Sequence, residues 1–200
     1  MKITNIIFDF GGVLVDWNPR YLYENVFDDK VQMEFFLSNI CTEEWNLQQD
    51  KDRTLQEGTL LLQKQFPAYS SLIQLFYDQW EVMLKAEITE NVKLLPQLKK
   101  NYQLLGLTNW SAETFPIALN RFPFFAQFDG IVVSGEEKMI KPDKEIFYLL
   151  LNRYQISASN SLFIDDNINN IKAANEIGFH TIHIKPTIIL EEELKKMKIL

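Results

Sequence analysis

The chain has 200 residues, 46% of them apolar and 24% charged, which suits one globular domain or one core carrying a sizeable insertion. A formal charge of −7 argues against nucleic acid or an anionic membrane as partner, since both need a basic field, so an anionic ligand would have to be held by local cations or a metal. The single cysteine, Cys41, excludes an internal disulfide. The start MKITNIIFDF is too short and too soon acidic for a signal peptide, and no apolar run approaches the roughly 20 residues of a spanning helix. The expectation is a cytoplasmic protein without nucleic-acid or membrane partners.

NIIFDF (5–10) reads as the first strand. The stretch that follows, residues 17–88, holds no convincing strand. PRYLYENVF, VQMEFFLSNI, TEEWNLQQ, QEGTLLLQKQF and LIQLFYDQWEVML read there as helices, so a helical subdomain is expected to be inserted after strand one. TENVKLLPQLKKN (89–101) has apolar residues at 92, 94, 95 and 98 and predicts a helix. YQLLGLTN (102–109), GIVVSG (130–135), SLFIDD (161–166) and HTIHIK (180–185) are further short apolar runs that predict buried strands. Between them, KEIFYLLLNRYQI (144–156) and NNIKAANEIG (169–178) are helical, the latter with Gly178 as its stop. The tail EEELKKMKIL reads as a short amphipathic helix or a frayed end. Alternating strands and helices imply right-handed crossovers. The expected fold class is α/β: a Rossmann-like doubly wound parallel sheet formed by residues 1–16 and 89–200, with residues 17–88 as the inserted helical unit.

Open α/β sheets bind ligands at the carboxyl ends of their strands. Those ends carry Asp9, the pair Thr108 and Asn109, and the pair Asp165 and Asp166, with Lys141 just past the third strand. Acidic strand ends that converge repel one another; two like charges at 4 Å cost about 4 kcal/mol at an effective dielectric of 20. A hard dication relieves this. Magnesium takes oxygen ligands and keeps waters and phosphate oxygens, and Asp9, Asp166 and a backbone carbonyl would suit it. With Lys141 as a point charge and Thr108 and Asn109 as donors, the set describes phosphoryl transfer.

In order and spacing, FDFGGVLVD, LLGLTN, KPD and FIDDNINNIKAA resemble the four motifs of the haloacid dehalogenase-like hydrolase superfamily. Within it, the first and last look most like the group containing bacterial glucose-1-phosphate phosphatases and the phosphatase half of soluble epoxide hydrolases. The resemblance implies a magnesium-dependent phosphatase of a small phosphorylated metabolite, a sugar phosphate first, with residues 17–88 as a helical cap over the site. It makes Asp9 the nucleophile that carries an aspartyl-phosphate. Asp9, the Gly11 carbonyl, Asp165 and Asp166 become the metal set, with Asp165 ligating, acting through water or orienting Lys141. Thr108, Asn109 and Lys141 hold the phosphoryl group. A monomer or a homodimer is compatible with this.

Position 11 departs from the pattern. Most phosphatases of the superfamily carry a second aspartate there, which protonates the leaving oxygen; this chain has Gly11. General acid catalysis is worth about 10²–10⁴-fold. Leaving groups that need less help, or a proton from a cap residue or water, with Asp16 and Asp50 as candidates, are the ways round the gap. The rival readings are a 2-haloacid dehalogenase, against which the acidic pair argues, and a non-catalytic binding protein on the same fold, which Gly11 alone favours. His180, His183 and Cys41 read as structural. Trp17 and Trp45 are candidates to face the cleft, and Trp110 to line it.

Overall fold

The computed structural model describes residues 2–200. In chain order it runs β1 (Asn5–Phe8), β2 (Val15–Trp17), α1 (Arg20–Tyr23), α2 (Lys30–Asn39), α3 (Glu43–Lys51) and α4 (Leu55–Gln65). Then come α5 (Ser70–Asp78), α6 (Trp80–Met83), β3 (Leu84–Glu87), α7 (Thr89–Val92), α8 (Leu95–Leu98), β4 (Gln103–Thr108) and α9 (Phe115–Arg121). The last part is β5 (Gly130–Val133), α10 (Ser134–Glu137), α11 (Lys144–Tyr154), β6 (Ser161–Asp165), α12 (Ile168–Ile177), β7 (His180–His183) and α13 (Leu190–Lys196).

The main sheet has five parallel strands in the order β5-β4-β1-β6-β7. Side chains of a strand alternate between faces, and the two cores divide accordingly. Ile6, Phe8, Leu104, Leu162 and Ile164 face one core, while Ile7, Leu105, Leu107 and Phe163 face the other. Both faces are covered, which is why the strand sequences read as continuous apolar runs. The chain builds outward from β1 to β4 and β5, then returns to place β6 on the other side of β1. The order therefore reverses between β1 and β6, and a crevice opens at their carboxyl ends.

Helices α1 to α6 pack their aromatics together, continuous with the core on one face of the sheet. Tyr23, Phe36, Trp45 and Phe76 are buried there, with ring centroids 5.0 Å apart for Tyr23 and Phe36 and 5.1 Å for Trp45 and Phe76. Three of these helices begin at side-chain caps: Asp29 accepts from the Val31 N–H, Thr42 Oγ1 accepts from the Trp45 N–H, and Thr54 and Glu57 form a capping box.

Two details differ from the sequence expectation, and for the tail the structure takes the helical alternative. The segment 17–88 is bounded by a short antiparallel ribbon, β2 with β3, whose strands are too brief to show a period. The helix expected over 89–101 is two short turns, α7 and α8, because Pro96 has no N–H to continue the first. The tail is ordered: α13 buries Leu190 and Leu194 in the main core. No helix of the described residues is long and apolar enough to cross a membrane.

Candidate active site

The register of β1 and β6 pairs Phe8 with Ile164. The next residues, Asp9 and Asp165, therefore emerge side by side at the crevice. Two carboxylates placed together in a buried position need a cation, and Lys141 supplies it. Its ammonium lies 3.0 Å from Asp9 Oδ1 and 2.7 Å from Asp165 Oδ2, with no exposure of its side chain. Burial works against the Lys141 charge, but Asp165 and Asp9 outweigh it and raise its pKa. Lys141 is held in turn through its backbone. Its N–H donates to Asn109 Oδ1 at 2.8 Å, and its carbonyl accepts from Asn109 Nδ2 at 2.9 Å.

Asp165 is surrounded by donors. Besides Lys141 it accepts from the Asn167 N–H at 2.7 Å and from Asn170 Nδ2 at 3.1 Å on each oxygen. Both of its oxygens are thus engaged by protein. Asp9 is different. Its Oδ1 accepts from the Phe10 N–H at 2.7 Å and faces Lys141, while Oδ2 receives no hydrogen bond from any described residue. Burial pushes the Asp9 carboxyl up to about 7, with Asp165 and Asp166 adding to the shift and Lys141 opposing it.

Oxygens of Asp9, Asp165 and Asp166 lie within 4.8 Å of one another. The turn after Asp9 is folded on the Phe10 carbonyl, which accepts from the Leu14 and Val15 N–H groups at 2.8 Å, and Gly12 adopts φ +68°. Gly11 lines the crevice and its carbonyl accepts no backbone hydrogen bond. An all-oxygen set at this spacing, with an Asp9 oxygen that no described residue partners, fits a hard dication of the magnesium type.

Thr108 ends β4 and is 1% exposed, yet its Oγ1 has no hydrogen-bond partner. A buried hydroxyl left alone costs free energy, and such orphans mark places where a ligand is expected. The crevice continues into a cleft of about 760 Å³, walled on the far side by the helices of the inserted segment. Trp17, Trp80 and Trp110 line it. Trp45 does not: its indole N–H donates to the Gly58 carbonyl inside the helical body.

Asp9, Gly11, Asn109, Lys141 and Asp166 all line this cleft, and Asp165 and Thr108 stand directly behind it. The side-chain amide of Asn109 is engaged by the Lys141 backbone, which leaves its backbone N–H as the donor available to a ligand. Asp16 is drawn away, with both oxygens accepting from the Tyr21 hydroxyl. Asp50 is in the cleft wall. His183 Nε2 lies 2.9 Å from the Asp166 carbonyl, a supporting contact, and burial pushes the Cys41 thiol far up, so neither is a reactive centre. Asn167 and Asn170 were given no role by sequence reasoning; an Asn at a helix start after a strand-end acid was the available sign.

The haloacid dehalogenase-like hydrolase family matches residues 6–184 of the chain. A sesquiterpene phosphatase of Aspergillus oryzae is 28% identical over 96% of this chain and 94% of its own length. The human N-acylneuraminate-9-phosphatase is 29% identical over 84% of this chain and 75% of its length. Among solved structures, a haloacid dehalogenase family enzyme from Bacteroides thetaiotaomicron superposes with a TM-score of 0.77 at 23% identity, covering 97% of this chain and 99% of that one. The same enzyme has been crystallised with magnesium and inorganic phosphate, and that form superposes with a TM-score of 0.73 at 24% identity over 96% and 98% of the two chains. The fold, the order of the strand-end residues and the extent of the family match agree: the chain belongs to the haloacid dehalogenase-like hydrolase family and is a hydrolase.

Proposed function

We propose that this hydrolase is a magnesium-dependent phosphatase that cleaves a small phosphorylated metabolite, a sugar phosphate in first place, through an aspartyl-phosphate on Asp9. The observation that carries the reading is the asymmetry of Asp9: one oxygen is fixed by Phe10 and Lys141, while the other is unpartnered in a carboxyl that borders the cleft. Asp9 Oδ2 attacks phosphorus and the bond to the leaving oxygen breaks. Lys141 opposes protonation of Asp9 and lowers the repulsion between nucleophile and phosphate. The Thr108 hydroxyl donates to a phosphoryl oxygen, which gives it the partner it lacks. Asp165, with Asn170 and Asn167, holds Lys141 in place, and Asn109 does so from the backbone side. Asp9, Asp166 and the Gly11 carbonyl would hold magnesium, with Asp165 behind them, and the ion when bound supplies positive charge to the phosphoryl oxygens.

In this reading residues 1–16 and 89–200 are the catalytic core and residues 17–88 the cap that closes over the site and excludes water. The support for a small phosphorylated substrate is the size of the cleft and the relatives, which are named as phosphatases of N-acylneuraminate 9-phosphate and, at 24% identity over 90% of each chain, of D-ribitol 5-phosphate. The other cation in the cleft wall, Arg20, is held by Glu34 at 2.7 and 2.6 Å, which favours a monophosphate. The test is phosphate release from sugar 1-phosphates, sugar 6-phosphates, polyol phosphates and a prenyl phosphate, with and without magnesium, for wild type and Asp9→Asn. Magnesium-dependent release that Asp9→Asn abolishes supports the reading. No release from any of them, nor from an aryl phosphate, overturns it and makes chloroacetate the next substrate to try.

A further inference from the structure

Expelling an alkoxide from phosphorus at neutral pH requires a proton for the leaving oxygen, and Gly11 has no side chain to give one. The cleft contains few alternatives. Asp9 forms the new bond, and Asp166 belongs to the carboxylate cluster beside it. Lys141 is locked between two carboxylates. Glu43 and Glu44 are exposed in the first turn of α3. Asp50, one residue from the carboxyl end of the same helix, is the remaining acid.

Resting on the phosphatase reading of this cleft, the geometry points to Asp50 as the group that protonates the leaving oxygen and then deprotonates the attacking water. Asp50 lines the same cleft as Asp9, and the Asp9 charge bears on it. It is also fixed in position. Its backbone carbonyl accepts from the Ser134 hydroxyl, a fully buried group that also accepts from the Trp110 N–H at 2.8 Å. This contact ties α3 to the turn that follows β5. No substituent is tolerated next to it, because a Cβ on Gly135 would sit 2.4 Å from the Ala112 nitrogen. The carboxyl accepts from Asn46 Nδ2 at 2.9 Å, and Asn46 is oriented by the Tyr77 hydroxyl at 2.9 Å. Burial pushes the Asp50 carboxyl up to about 7; the Ser111 backbone amide opposes this, and the charges of Asp9 and Glu43 reinforce it. An acid of that strength holds its proton near neutrality and can also release it.

The steps balance. As the Asp9 oxygen bonds to phosphorus, the bond to the leaving oxygen breaks and the Asp50 proton passes to that oxygen, which departs as an alcohol. Asp50 is left as a carboxylate. It then takes a proton from water as the water oxygen bonds to phosphorus and the Asp9–phosphorus bond breaks. Phosphate leaves, Asp9 is again a carboxylate and Asp50 again an acid.

The experiment compares glycerol phosphate, a poor leaving group, with p-nitrophenyl phosphate, whose leaving group needs no proton, in magnesium, for wild type and Asp50→Asn. For Asp50→Asn, kcat on glycerol phosphate should fall by about 10²–10⁴-fold. The first nitrophenol burst should stay within a few-fold of wild type, and phosphorylated Asp9 should accumulate and be visible by mass spectrometry. Asp50→Ser serves as a second variant if the amide disturbs α3. A nitrophenol burst that falls as far as kcat on glycerol phosphate, or no loss on glycerol phosphate, overturns the assignment. Failure of the phosphatase reading would look different: wild type itself would release nothing, or Asp9→Asn would release as much.

Discussion

Gly12 and Asp166 are in contact across the turn that follows β1: a Cβ on Gly12 would lie 2.2 Å from Asp166 Oδ2. Gly12 also has φ +68°, a conformation that costs an L-residue roughly 1–2 kcal/mol. Gly12→Ala therefore has two effects, strain in the turn and displacement of a proposed metal carboxylate. Magnesium affinity should fall by about 10–100-fold, as it does when the support of a ligand is lost. Gly11→Ala is the control, since nothing lies within 4 Å of a Cβ there. Calorimetric titration of magnesium into both variants checks this; equal affinities would remove Asp166 from the metal set.

Lys141→Met should destabilise the fold by about 3–5 kcal/mol, because Asp165 would stay fully buried without its cation. Asn167 and Asn170 still donate to it, but neither carries charge. Adding Asp165→Leu should recover part of the loss by removing the orphaned carboxylate. Urea unfolding of wild type, both single variants and the pair gives the coupling energy directly. A pair as unstable as the sum of the singles would mean that the three groups do not act as one unit.

The carboxyl ends of the strands were legible in the sequence because each buried strand must stop at a polar residue, and Asp9, Thr108 and Asp165 are those stops. The parallel order followed from apolar runs separated by helical patterns. The β2–β3 ribbon was not legible, since three or four residues show no period. Asp50 could be named but not placed, because its relation to Asp9 depends on how α3 docks through Ser134, a contact 84 residues distant in sequence. The exchange of hydrogen bonds between Asn109 and the Lys141 backbone was not legible for a similar reason: it is set by packing between two loops, not by either loop alone.

Stability should vary with pH through Asp50. Its folded pKa is raised to about 7, mainly by burial, against about 3.9 for an unfolded Asp. The folded state then binds the extra proton, so the favourable contribution is complete below about pH 4 and is lost as pH rises to about 7. Asp50→Asn has no charge to bury. Without magnesium, its unfolding free energy should match wild type near pH 4 and exceed it at about pH 8, by an amount on the order of 2 kcal/mol after allowing for solvent access. Thermal unfolding of both proteins across that range is the check. A gap that is constant with pH would mean the carboxyl titrates normally.

Gly11 offers the most direct test of how the proton reaches the leaving oxygen. A Cβ there meets nothing within 4 Å, and the residue lines the cleft beside Asp9. Gly11→Asp should therefore be accommodated, with its carboxyl directed to the open cleft rather than into the core. If Asp50 is the native proton donor, Gly11→Asp in the Asp50→Asn background supplies a second donor from the opposite wall. Glycerol phosphate turnover should then rise by at least about 10-fold over Asp50→Asn alone, within the range general acid catalysis provides. The nitrophenol burst should change little, because that leaving group does not need the proton. Burst and steady-state kinetics on the two substrates measure both quantities. A rise of equal size on both would show that the new carboxylate acts on phosphate binding or the metal, and the proton-transfer account of Gly11 and Asp50 would fall.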